Sequence, residues 1–171
     1  MFYIFILITI LVLLYFWQAS TLISIYGGSP YVASKKNIIK EALKLAEIKS
    51  DDVFYELGSG LGTGLIIASR EFGAKAIGIE ISPYNYLVSK IRTNRNKKIR
   101  VIMANIKRID LSEADVVYCY LYPKLMDQLL PKFKNELKPG SRVVSAAFTI
   151  SKLKPDIIKE IDNKKIYMYR F

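Results

Sequence analysis

Residues 56–64 read ELGSGLGTG, with four glycines packed into positions 58–64 directly after the apolar run VFYEL. A bare-backbone loop at the end of a strand lets a ligand lie against the main chain, because no Cβ stands in the way. Three ligand classes use such loops. A dinucleotide fingerprint needs G-x-G-x-x-G, but a pattern begun at Gly58 meets Thr63 at its sixth position, and one begun at Gly60 meets Leu65. A phosphate loop needs Gly-Lys-Ser/Thr, and no Lys or Arg follows until Arg70. What remains is E-x-G-x-G-x-G, formed by Glu56, Gly58, Gly60 and Gly62. Two further polar residues follow at intervals of about one β-α unit. Glu80 ends AKAIGIE and Asn105 ends IRVIMAN, each an apolar run of strand character.

The elements that must position these residues alternate along the chain. A helical pattern begins near Ser34, a candidate cap, with Ile38, Ile39, Ala42, Leu43 and Ala46 at three- and four-residue steps, and is expected to end at Ser50–Asp52. VFYEL, AKAIGIE, IRVIMAN, ADVVYCYL and RVVSAAF are expected strands, short and apolar on both faces. LIIASREF forms a helix stopped by Gly73, and Ser82-Pro83 opens another as cap and first-turn proline. Pro123 opens a further helix that Pro131 is expected to kink or divide. DIIKEI and KIYMYRF read as two weaker strands. The alternation predicts an α/β fold with a mostly parallel sheet covered by helices on both faces. Ligands then bind beyond the carboxyl ends of the strands, where the strand order reverses.

The N-terminal quarter differs from the rest. FYIFILITILVLLYFW carries no charge, and the first charged side chain is Lys35. A helix of roughly 24 residues rises about 36 Å, enough to cross a bilayer core of about 30 Å. Residues 2–26 are therefore read as a transmembrane anchor, 27–50 as a pre-domain segment and helix, and 51–171 as the α/β domain. A secretory signal is the alternative, but the chain has no basic n-region and its apolar stretch exceeds the usual length. Lys35, Lys36 and Lys40 follow the span closely, which predicts a cytoplasmic domain. A single cysteine agrees with a reducing compartment. The net charge of +11 attracts anionic lipid, nucleic acid or acidic proteins, and beside an anchor the anionic lipid surface is the simplest partner.

ELGSGLGTG, with Glu80 and Asn105, resembles the first motifs of the seven-stranded, S-adenosylmethionine-dependent methyltransferases. The resemblance implies a Rossmann-like class I sheet and S-adenosyl-L-methionine as cofactor. It implies that Glu56 holds the amino end, Gly58, Ser59, Gly60 and Gly62 pass close to the methionine part, Glu80 binds the ribose hydroxyls, Ile81 packs on adenine and Asn105 reads its edge. SPYVASKKNIIKEALKLAEIKSDDVFYELGSGLG and KNELKPGSRVVS are similar to a narrower group. These are the archaeal protein lysine methyltransferases and the membrane-anchored c-subunit lysine methyltransferases of ATP synthase. Leu61 stands where many relatives carry Asp, Ala33 replaces a usual Pro, and AAFTI lacks some polar residues of relatives.

The resemblance implies methylation of lysine on a membrane-associated protein. A lysine acceptor must be neutral, and burial in an aromatic channel beside a sulfonium depresses its pKa, so a chain without histidine suffices. Tyr31, Tyr120, Tyr122 and Phe148 are candidate channel walls, with core packing the competing role. No residue is assigned as a catalytic acid or base. The Asn/Asp-Pro-Pro-Tyr tetrad of amino methylation is absent from YCYLYPKL. Cys119, within a strand, reads as a buried thiol rather than a nucleophile. No His, Cys and carboxylate cluster suggests a metal. RNA and a small lipid-like acceptor such as a quinone precursor remain alternative substrates, and a non-catalytic cofactor-binding protein is the alternative class.

Overall fold

The computed structural model describes residues 1–29 and 31–171. Among these, five α-helices, one 3-10 turn and seven strands follow in the order α1 (Phe2–Tyr26), α2 (Lys36–Leu45), β1 (Val53–Leu57), α3 (Thr63–Glu71), β2 (Lys75–Glu80), α4 (Pro83–Thr93), β3 (Ile99–Met103), the turn Ile106–Arg108, β4 (Val116–Cys119), α5 (Pro123–Glu136), β5 (Arg142–Ala146), β6 (Ile157–Ile161) and β7 (Lys164–Arg170). The strands form one sheet in the order β3-β2-β1-β4-β5-β7-β6. β1 to β5 pair in parallel, while β7 pairs antiparallel with both β5 and β6. The order reverses between β1 and β4, where Leu57 lies opposite Cys119. That is the point at which loops diverge to either side and leave a crevice.

Both faces of the sheet are covered, which accounts for strands without polar alternation. On one face Ile38, Ile39 and Leu43 of α2 and Leu65 and Ala68 of α3 pack with Phe54, Ala76, Val116, Tyr118 and Val144. On the other face Leu125, Met126, Leu129 and Phe133 of α5 pack with Leu57, Ile79, Val117 and Cys119. Asp52 and Arg142 tie the entry of β1 to β5 through a half-buried ion pair of 2.8 Å.

Some local expectations change. The helix expected from Ser34 begins at Lys36, with Lys35 as an extended N-cap that makes no side-chain capping bond. Ser34 instead accepts a hydrogen bond from the Tyr118 hydroxyl at 3.2 Å. A tertiary partner for the serine replaces the local cap. The same helix ends at Leu45 rather than near Ser50, since Glu47 adopts a positive φ of 49°. Pro131 does not divide α5, which runs unbroken from Pro123 to Glu136. Ser82 does cap α4, its Oγ accepting from the Asn85 N–H. Of the break expected at Gly27–Pro30, Pro30 lies outside the described residues. Gly27 follows α1 as its C-cap, and Gly28 adopts a φ of +106°.

Candidate active site

Glu56 and Glu80 stand at the ends of β1 and β2, two neighbouring strands whose ladder pairs Glu56 with Gly78. Both carboxyls are buried. The Glu56 carboxylate accepts from the Leu65 N–H at 3.1 Å, in the first turn of α3. Gly64 permits this approach, because a Cβ there would come within 2.5 Å of the carboxylate. None of the described salt bridges involves Glu56 or Glu80. Burial pushes the Glu56 carboxyl up to about 8, its bond to the Leu65 N–H opposing and the nearby Glu80 adding to the rise. An isolated buried carboxylate of this kind is a place for a ligand cation, which would restore the charged form.

Glu80 is used differently. One oxygen accepts from the Gly60 N–H at 2.7 Å and the other from the Ser82 N–H at 2.8 Å. Burial raises its pKa against these bonds. The Ile81 N–H and the Asn85 side chain also bond to it, so the carboxylate that holds the glycine loop is ringed by donors of its own chain.

The loop itself is wound by positive φ at Gly58, Gly60 and Gly62, at 76°, 51° and 76°. Gly58 lines a cavity together with Glu56, Glu80, Ile81 and Asn105. That mixture of apolar walls and a few polar groups suits a small-molecule site. Gly60 lies directly beneath the Tyr31 ring, and Gly62 beneath the Ser89 hydroxyl, so a side chain at either would collide. The Ser59 side chain turns away from the cavity and is buried against Gly78 of β2, with no hydrogen-bond partner for its hydroxyl. The strand expected over 99–105 ends at Met103, and Asn105 caps the 3-10 turn, its Oδ1 accepting from Lys107 N–H at 3.0 Å. Its amide NH2 is left for the cavity that the residue lines.

The aromatic residues divide. Tyr31 and Tyr120 line the cavity. Tyr122 and Phe148 stand behind Tyr120 instead: Phe148 stacks on Tyr120 at 6.1 Å between ring centroids, and Tyr122 meets Phe148 edge-on at 5.8 Å. Lys164 Nζ donates to the Tyr120 hydroxyl at 2.9 Å and lies 4.9 Å from its ring centroid. Cys119 is buried, and burial raises its thiol far above the usual range, which suits packing and not nucleophilic attack. Among the described residues no group of His, Cys, Asp and Glu is arranged to hold a metal ion.

Sequence reasoning missed several walls. Ser24, Gly27 and Ser29, at and just after the end of α1, line the same cavity, as do Ser34, Tyr118 and Leu121. The signal for the first of these was present: Ser20, Ser24 and Gly27 recur at four- and three-residue steps in an otherwise bulky apolar helix. Small residues at that spacing mark a face that packs closely on something. The signal for Tyr118 is tertiary, since only the register that sets it opposite Glu56 brings it to the site.

The ANTKMT methyltransferase domain matches residues 56–157, more than half of the chain. The chain belongs to this methyltransferase family. It is similar to a protein-lysine N-methyltransferase of Saccharolobus islandicus (strain REY15A), with 34% identity over 148 residues, covering 82% of this chain and 92% of the relative. It is also similar to the c-subunit lysine N-methyltransferase of ATP synthase from Xenopus laevis, with 28% identity over 75% of this chain, and spans 58% of that relative's length. Among solved structures, an RNA methyltransferase from Salinibacter ruber in complex with S-adenosyl-L-homocysteine superposes with a TM-score of 0.79 at 31% identity, over 81% of this chain and 93% of that one. The chain is thus an S-adenosylmethionine-dependent methyltransferase with the Rossmann-like, seven-stranded fold of its family. The lining is compatible with that cofactor: a buried carboxylate without a cationic partner, a second buried carboxylate and a glycine of the loop share one cavity.

Proposed function

We propose that this methyltransferase transfers methyl groups to lysine side chains of a membrane-associated protein. The observation that carries the reading is one cavity lined both by Glu56 and Glu80 and by Tyr120, which already binds a lysine ammonium, that of Lys164, through its hydroxyl and its ring. An aromatic face next to a hydroxyl is a docking surface for an amine. The relatives that bear lysine-methyltransferase names support the same acceptor.

In this reading Glu56 takes the cofactor's amino end, Glu80 the ribose diol, Ile81 and Asn105 the adenine, and Gly58 the close passage between. Gly60 and Gly62 shape the loop from below. Ser59 contributes its backbone, its N–H donating to Ile79 O and its side chain filling the space beside Gly78. The bound cofactor supplies an activated methyl on sulfur. The protein's work is to exclude water, strip the acceptor ammonium of its proton by burial, and hold its nitrogen in line at about 3–3.5 Å. Tyr31 and Tyr120 line that approach, with Tyr122 and Phe148 supporting Tyr120. The chain has no histidine; desolvation lowers the ammonium pKa so that the proton passes to solvent water before the nitrogen is enclosed.

α1 has 25 residues and is long and apolar enough to cross a bilayer by length and composition. We read residues 2–26 as a retained anchor, followed by the segment 27–50 and the catalytic domain 51–171, with the domain on the cytoplasmic side. Anchoring raises the effective concentration of membrane-embedded acceptors. RNA methylation is the second reading, favoured by the +11 charge and by the likeness to the Salinibacter structure.

The deciding experiment incubates the purified protein with methyl-tritiated cofactor and membranes from its own source, then separates protein, lipid and RNA. Label in methyl-lysine is expected, and the labelled band is the substrate. Label in RNA or lipid would replace the acceptor while leaving the cofactor site. Cofactor binding without label, beside an active control enzyme, would favour a non-catalytic protein.

A further inference from the structure

Residues 1–18 of the chain are exposed along their whole length, and packing of α1 against the domain starts only at Ala19 and Ser20. The bare stretch rises about 27 Å, close to one hydrocarbon core. Its point of exit is well defined: Ser20 Oγ accepts from the Tyr84 N–H at 3.1 Å, in the first turn of α4. Whatever surface α1 enters therefore passes near the start of α4.

α4 has two unlike faces. Asn85, Ser89 and Thr93, spaced by four, are buried. On the opposite side Tyr84, Leu87 and Ile91, spaced by three and four, are 39%, 49% and 71% exposed. A surface helix normally turns polar residues outward, so this apolar stripe is inverted. Lys90 and Arg92 flank it, and Arg95, Lys97 and Lys98 follow the helix. No Asp or Glu occurs between Glu80 and Asp110, while eight Lys and Arg do. An apolar ridge on a segment whose charges are all cationic is complementary to anionic headgroups above acyl chains.

We infer that the Tyr84–Leu87–Ile91 face of α4 lies in the headgroup layer of an anionic bilayer, continuous with the surface that α1 enters. Leu87 and Ile91 reach the acyl boundary, and Lys90, Arg95 and Lys97 meet lipid phosphates. The inference rests on reading α1 as a membrane span. It gives the site an orientation. α4 starts directly after Glu80 and Ile81, and Arg92 donates to Leu61 O in the glycine loop at 2.7 Å, so the seated helix sets the cofactor pocket beside the lipid surface.

The test uses the full chain reconstituted in vesicles of phosphatidylcholine, with or without phosphatidylglycerol, containing lipids brominated high on the acyl chain. Trp17, the single tryptophan, reports α1. Ile91→Trp in a Trp17→Phe background reports α4. Bromolipid is expected to quench both indoles several-fold when phosphatidylglycerol is present. Adding Lys90→Glu and Arg95→Glu should abolish quenching at position 91 and spare Trp17 in the otherwise native chain. A quenched Trp17 with position 91 unquenched and open to acrylamide would overturn the α4 inference and leave the anchor standing. Neither quenched would overturn both. Position 91 shielded from acrylamide yet untouched by bromolipid would mean that protein, such as a second copy, covers the face, and would also overturn it.

Discussion

At Glu56 a carboxyl without a cationic partner is held in the core, and this has opposite consequences for stability and for binding. Its pKa is raised from 4.5 to about 8, so the folded state binds the proton more tightly than the unfolded chain. The stability this contributes is full below about pH 4.5 and is lost as pH rises toward 8. Glu56→Gln is therefore expected to raise the melting temperature of the free protein at pH 8.5, by a stabilisation of at most about 5 kcal/mol at 1.36 kcal/mol per pKa unit. Cofactor binding needs the ionised form, so affinity should rise roughly tenfold per pH unit from 6 to 7.5 and level off above about 8.5. Titration calorimetry across that range checks this, and the glutamine variant should bind weakly with a flat profile. Glu80→Ala removes the acceptor of the Gly60 and Ser82 N–H groups as well as the proposed diol site. It should weaken cofactor binding by roughly 1–3 kcal/mol, and unchanged affinity would exclude the ribose assignment.

The glycine loop is an element whose shape depends on backbone freedom at a few points. Gly60 combines a φ of +51° with the Tyr31 ring overhead, so Gly60→Val carries both backbone strain and a collision. Binding should be lost while circular dichroism of the sheet is kept, and normal affinity would contradict the account of the loop. Elsewhere the strands are braced by charge. Arg142 donates to Asp52 at 2.8 Å, with both side chains mostly out of water. Asp52→Ala leaves that guanidinium without its carboxylate and should cost about 3 kcal/mol in denaturant unfolding. A loss under about 0.5 kcal/mol would mark the pair as an ordinary surface contact.

For the whole molecule the decisive feature is that α1 is both an apolar rod and a wall of the cavity. A Cβ at Gly27 would stand 3.2 Å from Ile81 Cγ2 and from the Ile23 carbonyl. Gly27→Leu is expected to lower cofactor affinity by about tenfold, roughly 1.4 kcal/mol, without changing membrane partition. A variant that binds normally would show that α1 only tethers the domain. The contact also means that a chain cut after residue 26 would lack the Ser20 acceptor for Tyr84 N–H and the Ser24 wall.

Local pattern alone was enough for the alternation of strands and helices, the five parallel strands, the apolar span and the glycine loop with its acids. Each is written in short-range terms: runs of β-branched residues, three- and four-residue apolar steps, caps such as Ser82, and glycines where φ is positive. The cofactor class was legible through the family resemblance that Glu56, Gly58, Glu80 and Asn105 carry. Where side chains go once partners compete is a matter of three-dimensional packing. Ser34 leaves its helix for Tyr118, Ser59 turns from the cavity into the space above Gly78, and Asn105 divides its amide between a local cap and the site. Strand β7 inserts between β5 and β6, which no local pattern encodes, because pairing partners are chosen by distant hydrogen-bond ladders. The role of α1 in the cavity was likewise beyond one-dimensional reading, since hydropathy reports what a helix avoids and packing alone reports what it touches.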